Sequence, residues 1–187
     1  EVEQQFETVD VLINNAGISR PAPLEELTSE KWDEVMNTNL KGSFFLSQKI
    51  LPLMKKGGGG NIVNISSMSG HEAYPGMGVY STTKAGLNMI TKQMAVEWAD
   101  YNIRVNAVSP GMIRTPLTED MYQNEEIYNK RRELVSLKRI GTGEEIANIV
   151  SFLCSPKSSY ITGQSILADG GLLGTIQKHI AGRPESK

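Results

Sequence analysis

The sequence predicts an α/β fold: a doubly wound parallel sheet with helices on both faces. Three observations predict it. Short apolar, β-branched runs at 9–13, 61–65, 103–108 and 164–167 read as buried strands. Longer stretches of helical periodicity separate them, which implies right-handed βαβ crossovers. The runs end in Asn14-Asn15-Ala16-Gly17, Ser66-Ser67, Pro110-Gly111 and Asp169-Gly170-Gly171. Those are the carboxyl ends of the strands, where open α/β sheets bind ligands.

Each element has a local reason. Residues 1–7 read as the tail of a helix with no cap before it. Val9-Asp10-Val11-Leu12-Ile13 follows as the first strand. Thr28 is a helix N-cap with Glu30 in the first turn, and the helix is expected to run to about Met54. Trp32, Val35, Met36, Leu40, Phe44 and Ile50 recur along it at helical spacing. Four glycines, Gly57 to Gly60, break the chain before the strand Asn61–Ile65. A Ser/Gly-rich loop leads to a second long helix, from about Gly78 to Ala99. Asn102 to Ser109 is a strand stopped by Pro110-Gly111. Residues 116–136 are polar and partly helical, and 119–133 reads as a lid over a substrate. Thr142 and Glu145 match a capping box for a helix through Ile146, Ile149, Val150 and Leu153. Gln164–Leu167 is the last strand, and 174–187 is a polar, loose tail. The whole of 1–187 reads as a single domain.

Composition excludes several function classes. Apolar residues make up 39% and charged residues 21%, which fits a packed globular domain. A formal charge of -2 gives no basic field for nucleic acid or an anionic membrane. No run of about 18 apolar residues occurs. The single cysteine, Cys154, excludes an internal disulfide and a multi-cysteine metal site; it reads as a small hydrophobe on a helix. No metal is expected. The acidic start lacks the regions of a signal peptide, and the default setting is cytoplasmic.

Tyr80 and Lys84 lie four residues apart on a predicted helix and so share a face. A free phenol has a pKa of about 10, and an ammonium about 5 Å away favours the phenolate by roughly two units. The pair is therefore expected to act as an acid/base near neutral pH. Chance alone places ~0.4 such spacings in a chain of this composition, so the pair gains meaning only from its surroundings. Ser67 supplies some of it: a hydroxyl just past a buried strand can donate to a developing alkoxide. His71 lies four residues after Ser67, but without a Gly-x-Ser-x-Gly elbow it reads as polar surface.

The order Asn14-Asn15-Ala16-Gly17, Asn39, Ser67, Tyr80-x-x-x-Lys84, Pro110-Gly111 resembles the short-chain dehydrogenase/reductase family, from Val9 to about Leu172. The resemblance implies a Rossmann-like domain that uses NAD or NADP to interconvert a secondary alcohol and a carbonyl. Tyr80 would be the general acid/base, with Lys84 lowering its pKa and binding the nicotinamide ribose. Ser67 would bond the substrate carbonyl, and Asn39 would hold a water leading from Lys84 to solvent. Asn14, Ala16 and Gly17 would line the cofactor pocket with Tyr80 and Lys84. Pro110, Gly111, Ile113 and Thr115 would border the nicotinamide. The expected substrate is a sugar or polyol, with a 3-oxoacyl thioester as the alternative. The helix at 78–99 is expected to pair copies into a homodimer or homotetramer.

The sequence departs from the family in one respect. It contains neither Gly-x-x-x-Gly-x-Gly nor Gly-x-Gly-x-x-Gly, the turn that holds a pyrophosphate at a helix N-terminus. The expectation is a chain lacking its first strands and glycine-rich turn. The strand at 9–13 would keep an unpaired apolar edge, and the chain alone would bind dinucleotide weakly or be inactive.

Overall fold

The apolar runs pair in parallel, as a computed structural model describing residues 2–175 shows. The strands are Val11–Asn14 (β1), Gly60–Ile65 (β2), Ile103–Pro110 (β3), Ile113–Arg114 (β4), Gly141–Thr142 (β5) and Ser165–Ala168 (β6). Four of them form one sheet in the order β1-β2-β3-β6. Asn14 stands beside Asn64, Ile65 beside Val108, and Ser109 beside Leu167, so the carboxyl ends line up along one rim. β4 and β5 make a separate parallel pair that the sequence did not announce, each strand being two residues long.

The helices are Val2–Gln5 (α1), Ser29–Met36 (α2), Ser43–Lys56 (α3), Gly78–Glu97 (α4), Glu119–Gln123 (α5), Glu125–Leu134 (α6) and Gly143–Cys154 (α7). The alternation of side chains along a strand divides the core in two. Ile62, Ile103 and Val105 pack on one face with Ile50 and Met54 of α3 and Met94 of α4. Val63 and Val108 pack on the other with Val150 and Leu153 of α7. Both faces being covered explains why β2 and β3 are apolar without strict alternation. Each fully buried Ile, Val or Met here contributes about 1.5–3 kcal/mol. A third cluster of Met112, Tyr122, Val135 and Ile140 seats α5 and α6 near the rim. The capping box forms as expected: Thr142 Oγ1 accepts from Glu145 N–H, and the Glu145 carboxylate accepts from Thr142 N–H.

Two expectations are corrected. The helix expected from 28 to 54 is not continuous. Residues Asn37–Gly42 form a π-helical turn between α2 and α3. The wider turn carries the buried Asn39, and the Ser43 hydroxyl caps the Asn39 carbonyl at 3.0 Å. The long second helix ends at Glu97, where a 3-10 turn over Ala99–Tyr101 leads to Asn102 in the left-handed region. The tail expected to be loose lies, beyond Thr175, outside the described residues.

β1 stands at the edge of the sheet. Leu12 packs into the α3–α4 core, while Val11 and Ile13 point to the opposite face and are 39% and 46% exposed.

The glycine run closes a tight corner between α3 and β2. Gly59 has φ 137°, and a Cβ on it would lie 2.4 Å from the Asn102 carbonyl oxygen. Gly59→Ala should therefore destabilise the chain by about 1–3 kcal/mol. The measurement is a lower urea midpoint at unchanged m-value; an unaltered midpoint would contradict the close approach.

Candidate active site

The site is built where β1 and β2 end and α4 begins. β1 delivers Asn14, whose Nδ2 donates to Ser47 Oγ at 2.9 Å and to Asn64 Oδ1 at 2.8 Å. Asn64 in turn donates to Thr91 on α4 at 2.8 Å. A polar ladder thus runs from α3 through two strands to α4, and the Asn14 carboxamide faces into it. The following residues, Ala16 and Gly17, are exposed. A Cβ on Gly17 would sit 3.5 Å from Lys84 Nζ and 3.5 Å from Asn39 Oδ1, so this bare backbone borders both side chains.

Asn39 is fully buried. Its Oδ1 accepts from Ile18 N–H at 2.8 Å, and its Nδ2 donates to the Ile18 carbonyl at 2.8 Å and to Thr83 Oγ1 at 3.2 Å. The side chain mimics a strand partner for the loop after β1. Thr83 donates onward to the Tyr80 carbonyl at 2.7 Å. Sequence reasoning missed Thr83, although its place inside Tyr80-x-x-x-Lys84 puts it on the buried side of that helix.

Ser67 opens a 3-10 turn, Met68–Gly70, in extended conformation, and its Oγ accepts from Ser69 N–H at 3.1 Å. The Ser66 hydroxyl donates to the Lys84 carbonyl at 3.1 Å, pinning the turn to α4. Gly70 permits the approach: a Cβ there would lie 2.7 Å from the Lys84 carbonyl carbon. Lys84 is 4% exposed, and its Nζ donates to the Ile65 carbonyl at 2.7 Å, 5.5 Å from the centre of the Tyr80 ring. An ammonium carries three donors, so two remain for a ligand.

The electrostatics correct the expectation for the phenol. Burial pushes the Tyr80 hydroxyl above its ordinary value of 10.0, and the Ser67 hydroxyl pulls it only partly back. Burial lowers the Lys84 ammonium from 10.5 to about 8. The physical reason is desolvation, which disfavours the charged form of each group. With the lysine bonded to a backbone carbonyl, burial is the dominant influence on the phenol. The site therefore holds a protonated phenol.

Beyond β3, Gly111 N–H donates to the Ala168 carbonyl at 2.9 Å, and a Cβ on Gly111 would meet Asp169 at 2.6 Å. Pro110, Ile113 and Thr115 are half-buried along the same rim. Thr115 is tied to Thr118, whose Oγ1 accepts from Thr115 N–H at 2.9 Å and donates to the Ile113 carbonyl at 2.9 Å. Thr118, missed in the sequence, fixes this segment; the Thr-Pro-Leu-Thr spacing was the signal. The structure thus gathers Gly17, Asn39, Ser67, Tyr80 and Lys84 closely. It leaves Asn14 beneath them in the sheet, and 110–115 as a neighbouring wall. Among the described residues no three His, Cys, Asp or Glu side chains stand together as metal ligands. No described helix is long and apolar enough to cross a membrane.

Sheet, rim and side-chain group together define a class: the chain belongs to the short-chain dehydrogenase/reductase family. The family model described as enoyl-(acyl carrier protein) reductase matches residues 1–173. Among individual relatives, the 3-oxoacyl-[acyl-carrier-protein] reductase FabG of Thermotoga maritima is 46% identical over 173 residues, 92% of this chain and 70% of that protein. A gluconate 5-dehydrogenase from Burkholderia cenocepacia J2315, solved with NADP and tartrate, superposes with a TM-score of 0.88. It is 32% identical, over 94% of this chain and 69% of that one. A 4-hydroxyisoleucine dehydrogenase complexed with NADH gives 0.88 at 35% identity, over 92% of this chain and 72% of that one.

The buried ammonium makes a prediction about stability. Between about pH 8 and 10.5 the folded chain holds less of a proton on Lys84 than the unfolded chain does. Stability must rise with pH where the unfolded state binds more protons. The Tyr80 phenol, raised in the fold, acts in the opposite sense above 10.0, so the clear window is roughly pH 8 to 10. The unfolding free energy of the wild type from urea titrations should climb across that window by about 2–3 kcal/mol relative to Lys84→Met. Parallel profiles for the two proteins would contradict the account.

Proposed function

We propose that this chain carries the proton-transfer site of an NAD(P)-dependent oxidoreductase. It interconverts a secondary alcohol and a carbonyl, acts as a reductase at neutral pH, and takes a 3-oxoacyl thioester. The observation that carries the reading is the half-buried Tyr80 beside Ser67 and Lys84 at the end of β2.

The residues divide the work. The Tyr80 hydroxyl donates its proton to the substrate oxygen. Ser67 donates a hydrogen bond to the same oxygen and holds it in place as charge develops. Lys84, one turn along, stabilises the phenolate left behind. Asn39 ties the Ile18 backbone to the Thr83 hydroxyl, which in turn bonds the Tyr80 carbonyl. The residues present fit the nicotinamide riboside half of the cofactor: Lys84 keeps two donors for a ligand, and Gly17 brings bare, exposed backbone beside it. When bound, the nicotinamide supplies the hydride. Pro110, Gly111, Ile113 and Thr115 form the wall along the rim.

The substrate class rests on the surface beside Ser67. Met68 packs against the cluster of Met112, Tyr122, Val135 and Ile140, as do Met121, Tyr128 and Leu172, so the side toward α5 and α6 is apolar. An acyl chain suits that wall, and the relative at 46% identity is named for such a substrate. A sugar acid or polyol is the second reading, favoured by the likeness to the gluconate 5-dehydrogenase. A cytoplasmic setting fits either. Copies of the chain associate as a homodimer or homotetramer through α3 and α4. Phe45, Leu46, Met89 and Val96 are exposed there around a groove lined by Trp32, Leu40 and Phe44.

Steady-state reduction of a 3-oxoacyl thioester and of a keto-sugar acid, each with NADPH and NADH, tests the reading. The thioester should be preferred, and Tyr80→Phe should lower turnover by about 10²–10⁴-fold. Alcohol oxidation needs the phenolate, so its rate should rise with pH toward and beyond 10, while carbonyl reduction stays level through neutral pH. Full turnover by Tyr80→Phe would defeat the proposal.

A further inference from the structure

Four side chains outside the catalytic group meet in one polar knot. His71 ends the turn that Ser67 opens, Ser109 lies on β3, Ser165 on β6 and Asn88 on α4. His71 Nε2 is 3.0 Å from Ser109 Oγ, which is 2.8 Å from Ser165 Oγ. Ser165 Oγ is 3.1 Å from Asn88 Oδ1, and Asn88 Nδ2 is 3.3 Å from the Gly70 carbonyl. Nε2 is also 3.3 Å from Ser165 Oγ and 3.4 Å from Asn88 Nδ2. A serine bonded to a histidine suggests a nucleophile, but Ser109 is 0% exposed, and a substrate cannot reach it.

Counting protons fixes the direction of the chain. The Gly70 carbonyl can only accept, so Asn88 turns its amide nitrogen toward it and its oxygen toward Ser165. Ser165 must give its one proton to that oxygen. Ser109 must then donate to Ser165, and Nε2 must donate to Ser109. With Ser165 bonded to Asn88, a Ser109 that donated to Nε2 would leave two hydroxyl oxygens 2.8 Å apart with no proton between them; the 3.4 Å contact of Asn88 Nδ2 with Nε2 is then a contact between two donors and carries no bond.

We propose that His71 is a positioning residue for Ser67, held as the Nε2–H tautomer at the head of a one-way hydrogen-bond chain through Ser109 and Ser165 to Asn88. The inference rests on the reading of Ser67 as the hydroxyl that meets the substrate oxygen. Within the turn, Gly70 N–H donates to the Ser67 carbonyl at 2.9 Å and Ser69 N–H donates to Ser67 Oγ at 3.1 Å. These bonds shape the turn but do not attach it to the fold. Attachment at the near end comes from Ser66, whose hydroxyl bonds α4 and whose N–H donates to the Val108 carbonyl at 2.7 Å; at the far end it comes from Asn88 on the α4 side and from the His71 chain on the β3–β6 side. Without the His71 anchor the far end of the turn is loosened and Ser67 can shift relative to Tyr80, and a displacement of ~1 Å costs up to about a hundredfold in rate.

Long-range ¹H–¹⁵N correlation spectra of the ¹⁵N-labelled wild-type chain read the tautomer directly, with the proton expected on Nε2 of the neutral ring. His71→Leu and Ser109→Ala remove the first and second links, whereas His71→Gln keeps an N–H donor. The first two should lose about tenfold or more of the hydrogen-exchange protection at the Ser69 and Gly70 amides. They should lower kcat by about ten- to a hundredfold with the KM for cofactor unmoved, and Gln should restore both readouts. A neutral ring protonated on Nδ1 overturns the proposal. So does unaltered exchange in both His71→Leu and Ser109→Ala. Failure of the wild type to reduce any carbonyl would count against the oxidoreductase reading alone, because tautomer and exchange still decide the role of His71.

Discussion

The bond from the Lys84 ammonium to the Ile65 carbonyl is the constraint on which the site depends. It joins the first turns of α4 to the last residue of β2. A free strand-end carbonyl and a buried cation would each be costly alone, and together they satisfy one another. The bond fixes how far α4 extends past the rim. Tyr80, one turn earlier, is thereby carried over the end of the sheet, and the Ser67 turn can close against the same helix. The cation still loses most of its hydration, which is why its pKa falls.

Around that bond the interior is unusually polar and almost fully paired. Asn14, Asn64 and Thr91 cross the sheet, and Asn39 acts as a surrogate strand for Ile18. Such groups have defined partners and directions, so they fix the loops to a fraction of an ångström in a way that apolar contacts alone do not. Apolar burial on both faces holds the sheet together; the amides and hydroxyls decide where its rim residues stand.

The sequence made the strands, the capping box at Thr142 and the gathering of Asn39, Ser67, Tyr80 and Lys84 legible. Strand runs are short and β-branched, and the chemical residues fall at their ends. Other features were hidden for physical reasons. The π-helical turn leaves the apolar periodicity of 28–54 nearly intact, so its extra residue has no local signature. The direction of the Tyr80 shift depends on burial set by distant elements, which the Tyr-Lys spacing does not contain. His71 read as polar surface and is exposed; its bonds to Asn88, Ser109 and Ser165 were hidden because those partners come from 17 to 94 residues away. Thr118 and Thr83 act through backbone groups, and such roles leave little trace in residue type.

The π-helical turn at Asn37–Gly42 also bears on how this scaffold tolerates redesign. Removing one residue to restore regular winding would rotate all of α3 by about 100° relative to α2. Ser47 would swing off the β1 carboxamide and Ile50 and Met54 off the sheet, so the damage would spread well past the deletion. An idealised straight helix grafted in its place would keep composition, length and apolar pattern yet present the wrong side to the sheet. The irregular turn is therefore a register mark, and sequence alignments or designs that smooth it away misplace everything downstream as far as the glycine corner.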